Sequence, residues 1–196
     1  MQALARLGCK RRIIGLIPAV ENMPDGKAYR PGDVVKIFDG QTVEIISTDA
    51  EGRLILADAL AYGMAFNPEF TIDLATLTGA MVMALGNTYS GLFCNDDSLR
   101  EKILNSAKYS RELVWPMPLH KDFTEDIKSK FADLKNSGYP RKGGACQGAS
   151  FLQEFVKGPW AHLDIAGSAH STKERSYLPK AATGVGVRLL TQLLLK

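Results

Sequence analysis

Short apolar runs of strand character alternate with longer stretches of helical period along most of this chain, and that alternation confines it to a layered α/β architecture. Gly91-Leu-Phe-Cys and Trp160 to Ala166 read as strands, and Phe70 to Leu74 as a short buried one. Ile13 to Val20 reads as a further buried strand behind the basic Lys10-Arg11-Arg12. Between them, Arg53 to Phe66 is apolar nearly all round, as for a helix buried in a layered core, and Asn67-Pro68 closes it. Thr76 to Leu85 reads as a turn followed by a packed helix. Asp97 to Tyr109 reads as a surface helix with Asp96 or Asp97 as cap, and Gly184 to Leu195 as a C-terminal helix. Gln2 to Gly8 has the pattern of a helix ending, with Gly8 at its C-terminal cap.

Other stretches are more irregular. Val34 to Phe38 and Gln41 to Ile45 alternate on either side of Asp39-Gly40, which predicts a hairpin with a two-residue I′ turn. Glu21 to Asp33 is a long polar loop, and Trp115-Pro-Met-Pro interrupts the pattern. Lys121 to Phe131 is charged and amphipathic and reads as a helix or its frayed remnant. Asn136 to Gly148 is Gly-rich and basic (Arg141-Lys-Gly-Gly) and leads into an apolar helix from Ala149 to Val156. That loop lacks Walker spacing, so it reads as a plain connection rather than a phosphate cradle. With neither repeats nor a linker, residues 1–196 read as one domain.

Charge excludes some functions. The 24 Lys and Arg against 21 Asp and Glu leave a formal net charge of +3, too balanced for a nucleic-acid or membrane surface. No apolar run is long enough to span a bilayer, and the basic N-terminal segment lacks the apolar centre of a secretory signal. Cys9, Cys94 and Cys146 are scattered and without zinc-ligand spacing. They read as reduced thiols of a cytoplasmic protein.

Chemistry concentrates in Ser47-Thr-Asp-Ala-Glu-Gly-Arg-Leu-Ile-Leu. Asp49 and Glu51 stand two residues apart, so an extended backbone would project both on one face. Converging carboxylates repel unless a cation lies between them, and hard divalent ions take such oxygen ligands. Gly52 permits a tight turn, and Arg53 offers a fixed fork of donors to an anion. The competing reading is a strand-to-helix turn in which the acids merely cap the helix and face its dipole. Elsewhere Asp58, inside the apolar helix, reads as a satisfied polar bond in the core. Tyr29, Arg30 and Asp33 read as a turn with a partly buried ion pair. His120, His162 and His170 share no metal spacing, and His162 reads as structural.

Thr48-Asp-Ala-Glu-Gly-Arg-Leu closely resembles the signature of the leucyl aminopeptidase family, whose form begins with Asn where this chain has Ser47. Glu21-Asn-Met-Pro, Ala28-Tyr-Arg-Pro-Gly-Asp-Val, Asp73-Leu-Ala-Thr-Leu-Thr-Gly-Ala and Trp160-Ala-His-Leu-Asp-Ile-Ala-Gly resemble family segments in family order, so the likeness covers essentially the whole chain. It implies a three-layer α/β/α sandwich around a mixed sheet, incomplete at its N-terminal side. It also implies a hexameric metallo-aminopeptidase that releases bulky apolar, leucine-like residues from peptides with two divalent ions (Zn, Mn or Mg). By this resemblance Asp49 and Glu51 are metal ligands, Glu51 bridging both ions, and Arg53 holds a bicarbonate that acts as general base. Thr76 and Gly79 line the side-chain pocket, the Leu77 backbone meets the peptide, and Ala166 and Ala169 are further pocket positions. His170 stands where many relatives carry an aromatic residue at the pocket rim.

The family's remaining ligands, two aspartates and a lysine, and its electrophilic lysine belong to a Gly-Lys-Gly and Phe-Asp-Ser-Gly-Gly region and a later Asp that this sequence does not contain. The expectation is the C-terminal part of the catalytic domain, inactive as an isolated chain. Its rivals are a non-catalytic folded fragment or assembly subunit, and another two-metal hydrolase such as a phosphatase.

Overall fold

A computed structural model describes residues 1–138, 142–174 and 180–195. In chain order the elements are helix α1 (Gln2–Arg6), strands β1 (Val34–Lys36) and β2 (Thr42–Glu44), helix α2 (Gly52–Gly63), β3 (Thr71–Ala75), α3 (Gly79–Leu85), β4 (Ser90–Cys94), α4 (Asp97–Ser110) and β5 (Val114–Pro116). They continue with α5 (Lys121–Glu125), β6 (Leu134–Lys135), α6 (Gly144–Gln153), β7 (Trp160–Asp164), β8 (His170–Ser171), β9 (Ala181–Ala182) and α7 (Val187–Leu195). The chain divides into two compact units, one of Met1–Gly15, Ile72–Met117 and Pro159–Lys196, the other of Leu16–Thr71 and Pro118–Gly158.

The first unit holds the sheet β3-β7-β4-β5, in which β4 runs parallel to β5 and antiparallel to β7. This is the mixed α/β sheet expected from the sequence. Every residue of β7 is buried, as are the first four of β4, which is why both read as continuous apolar runs. Helix α4 packs on the sheet and on α7. Asp96 caps α4 through its carboxylate, which accepts from the Leu99 N–H at 2.7 Å. Glu112 is buried and receives the N–H groups of Gly186 (2.7 Å) and Arg188 (3.2 Å) at the start of α7. At the other end of the chain α1 closes as expected: Gly8 takes φ +71°, and the Gly8 and Cys9 N–H groups bond Ala5 and Leu4 carbonyls.

The second unit holds the sheet β1-β2-β6, β1 antiparallel and β6 parallel to β2. Helix α2 buries Arg53, Leu54, Ala57, Leu60 and Ala61 and packs on α6. A 3₁₀ turn extends it to Phe66, and Asn67, in the left-handed region, ends it.

Five expectations are corrected. Ile13 to Val20 is irregular, with Ile17 89% exposed, because a strand requires a neighbour to complete its ladder and this stretch has none among the described residues. The β1–β2 hairpin closes through a turn from Ile37 to Gly40 (Gly40 N–H to Ile37 O, 2.9 Å), with Phe38 and Asp39 central. Asp39 has no positive φ and only Gly40 does (+101°), so the I′ turn is not formed. Asp58 is exposed and accepts from the Phe38 N–H at 2.8 Å, a bond at the surface rather than in the core. Helix α6 begins at Gly144 instead of Ala149, and its small residues are buried beneath α2 and α5. The Trp115-Pro116 break lies in a short strand, β5. Within the Gly-rich loop, residues 139–141, Arg141 included, lie outside the described residues.

Candidate active site

In the second unit, β2 leaves its sheet and reaches α2 through a turn in which Ala50 N–H bonds the Ser47 carbonyl at 3.3 Å. Asp49 sits exposed in that turn and Glu51 follows at the N-terminal cap of α2 with φ −75° and ψ −37°. The backbone is therefore not extended through the two acids, and their proximity comes from a turn running into a helix. Glu51 nevertheless makes no side-chain cap bond. Its carboxylate instead receives the Asn22 side-chain N–H at 3.2 Å. The Tyr29 phenol is pushed above 10.0 by burial and then by the negative charge of Glu51. Both acids thus stand at the positive end of a helix without satisfying its N–H groups, which is not the arrangement of ordinary capping residues.

Arg53, one helical position in, is buried, and its Nη1 donates to the Asn136 carbonyl at 2.8 Å. The sequence marks Asn136 only as the start of a loop, yet it is the residue that holds this turn. Its Oδ1 accepts from Ile46 (2.8 Å) and Ser47 (3.2 Å), and its Nδ2 donates to the Ser47 carbonyl at 2.6 Å. Nearby, Arg30 and Asp33 form the expected turn, but through the Arg30 backbone N–H to the Asp33 carboxylate (2.7 Å), and both residues are exposed.

The residues expected to line a pocket lie in the first unit, where Asp164, buried at the end of β7, joins Leu77 and Thr78 to Ala166. One carboxylate oxygen accepts from Leu77 N–H (3.2 Å) and Ala166 N–H (3.1 Å), and the other from the Thr78 hydroxyl (2.7 Å). Thr78 in turn caps α3 by accepting from Met81 N–H at 3.1 Å. Thr76 and Gly79 are exposed on this loop, with Leu77, Ala166 and Ala169 half-buried. The Ala169 carbonyl receives the Thr183 N–H at 3.0 Å. A buried acid at the end of an apolar strand was the signal in the sequence for Asp164.

The histidines separate as follows. His120 caps α5 through Nδ1, which accepts from Asp122 N–H at 3.3 Å, and His170 is exposed on β8. His162 is fully buried, its Nδ1 2.6 Å from Asp73, and its ring stacks with Phe93 and Trp160. Asp73 also accepts from the Trp160 indole N–H at 2.8 Å, so this network is a polar lock inside the sheet. Burial pushes the Cys94 and Cys146 thiols up, and the three cysteines are free.

The donors at the turn are hard carboxylate oxygens free of capping duty, which suits divalent cations. Among the described residues no group of three or more His, Cys, Asp and Glu side chains could hold a metal ion.

Comparison with known proteins agrees with the motif. A family model described as the cytosol aminopeptidase family, catalytic domain, matches residues 1–191. A protein of Xanthobacter autotrophicus named a probable cytosol aminopeptidase is 53% identical over 195 residues, covering 98% of this chain and 39% of that protein. One of the same name from Geobacter sulfurreducens is 52% identical, with 99% and 39% covered. A tomato leucine aminopeptidase mutant superposes with TM-score 0.85 at 45% identity, covering 90% of this chain and 34% of that one. The chain spans about two fifths of the length of the curated relatives it matches. Over that span the carboxylate turn, the loop held by Asp164 and the α/β sheet are all accounted for by one kinship: the chain belongs to the cytosol aminopeptidase family.

Proposed function

We propose that this chain carries the carboxylate turn and the substrate loop of a two-metal aminopeptidase that releases N-terminal, bulky apolar residues from peptides. The observation that carries the reading is Glu51, placed at the head of α2 without capping it, beside the exposed Asp49 and ahead of the buried Arg53. Asp49 and Glu51 would hold the divalent ions (Zn, Mn or Mg). Bound there, the ions would supply Lewis acidity for the scissile carbonyl and for an attacking water. Arg53, whose Nη1 donates to the Asn136 carbonyl, would hold a bicarbonate, which would supply a general base for the attacking water. Thr76, Gly79, Ala166 and Ala169 shape the pocket for the apolar side chain, and the Leu77 backbone orients the peptide. The further metal ligands and the electrophilic lysine would come from sequence outside these 196 residues. We further propose, on the family resemblance, that the assembly is a hexamer in the cytoplasm.

One observation favours a second reading, a folded but non-catalytic subunit: no His, Cys, Asp or Glu among the described residues joins the pair as a third ligand. The experiment is leucine-anilide hydrolysis with added Mn²⁺ or Zn²⁺, for the chain alone and for the chain mixed with the upstream region of a relative. The two-metal reading expects no turnover alone and turnover on mixing. Inactive mixtures that nonetheless assemble would favour the second reading, and robust hydrolysis by the chain alone would show that its ligands were misidentified.

A further inference from the structure

We propose that Asn136 is a positioning residue that sets the cation-holding geometry of Asp49 and Glu51 while touching neither ion nor substrate; this rests on reading those carboxylates as metal ligands. Where β2 and β6 pair in parallel, Val43 stands opposite Leu134 and Glu44 opposite Lys135. The next step of the ladder is the Asn136 N–H to the Glu44 carbonyl, 3.0 Å. Beyond it the strand bends away toward α2, and the backbone groups of Ile46, Ser47 and Ala50 lose any ladder partner. The Asn136 side chain replaces that ladder. Its oxygen accepts from the Ile46 and Ser47 N–H groups, and its nitrogen donates to the Ser47 carbonyl at 2.6 Å and more weakly to Ala50 at 3.4 Å.

An amide has two donor hydrogens and two acceptor lone pairs, and all four are used here. Asn136 is 0% exposed, so water cannot substitute for any of these bonds. Its own carbonyl holds Arg53 Nη1 at 2.8 Å. One buried residue therefore ties the segments on both sides of Asp49, the residue before Glu51, and the arginine after it. Asp could not replace it, because it lacks the two donors that hold the Ser47 and Ala50 carbonyls. Groups that orient metal ligands from behind alter affinity when removed, typically by about tenfold to a hundredfold.

The test measures Mn²⁺ affinity of the chain mixed with the upstream region of a relative, by loss of the free-ion EPR signal, together with hydrogen exchange at the Ile46 and Ser47 amides. Asp133→Asn is the control for stability alone: Asp133 fastens the other end of the same strand pair, accepting from the Thr42 N–H (2.8 Å) and hydroxyl (2.7 Å). Asn136→Ala should speed exchange at both amides and weaken Mn²⁺ about tenfold or more, while Asp133→Asn leaves the affinity unchanged. If Asn136→Ala does not fold, Asn136→Ser gives the same comparison. Unchanged affinity in the Asn136 variant, with affinity lost in Glu51→Gln, overturns the positioning role alone. Equal affinity in the mixtures made with the parent chain and with Glu51→Gln overturns the metal reading and this inference with it.

Discussion

At the scale of single residues, Asp164 and Asn136 do for two loops what a strand neighbour does for a ladder: each satisfies several backbone groups from one buried side chain. Asp164 faces Leu77, Thr78 and Ala166 with no exposed surface of its own. Replacing it by Ala would leave two N–H groups and a hydroxyl without that acceptor, at a cost of about 2–4 kcal/mol. Asp164→Asn, which keeps one acceptor oxygen, should cost less. Urea titration of both variants checks the order, and an Ala variant as stable as the parent would mean that the loops hold themselves. The His162–Asp73 contact is of the same kind but serves the sheet. Donation to Asp73 requires the proton on Nδ1, which leaves the buried Nε2 without a partner.

At the scale of elements, helix ends and strand ends are where charge matters most. Glu112 accepts two N–H groups at the start of α7, the positive end of that helix's dipole. Glu112→Ala should destabilise the fold by about 1–3 kcal/mol, seen as a lower urea midpoint, whereas Glu112→Gln should retain part of the effect. Between β2 and β6, the Thr42 hydroxyl and N–H hold the Asp133 carboxyl below its ordinary 3.8. A carboxyl whose folded value lies below its unfolded one stabilises the fold above 3.8 and loses that contribution as pH falls through the lowered value. The stability difference between the parent and Asp133→Asn should therefore shrink on acidification. A pH-independent difference in urea midpoints would show that the carboxylate's charge plays no part.

For the whole molecule, the decisive fact is that the chain accounts for about two fifths of its relatives' length. Under the proposed function, catalysis is tested on the chain mixed with the upstream region of a relative. There, Asp49→Asn and Glu51→Gln should each abolish leucine release and lower metal content, removing several kcal/mol of transition-state stabilisation. Near-normal turnover of either variant at saturating metal would overturn their assignment. Arg53→Ala should impair turnover yet retain metal, since a guanidinium cannot ligate a cation. Elemental analysis beside the kinetics distinguishes the two, and loss of metal from Arg53→Ala would identify a structural role. Recovery of rate with added bicarbonate would support the base-holding role.

What the sequence determined by itself was local or depended on residue identity. Gly8 at the end of α1, Asp96 capping α4, Asn67 closing the segment after α2, and the apolar runs of β4 and β7 were legible because each depends on neighbours within a turn or two. The Thr48–Leu54 signature was legible as a string, and with it the family. Tertiary structure decided whatever needed a distant partner. Ile13 to Val20 has the composition of a strand, but no ladder neighbour completes it among the described residues. Asp49 and Glu51 were placed by a turn, and that turn is held by Asn136, 89 residues beyond Ser47. Asp164 reaches Leu77 across 87 residues. No window of sequence contains both ends of such bonds, because what selects Asn or Asp there is the geometry of backbone groups left unpaired by a bend elsewhere in the chain.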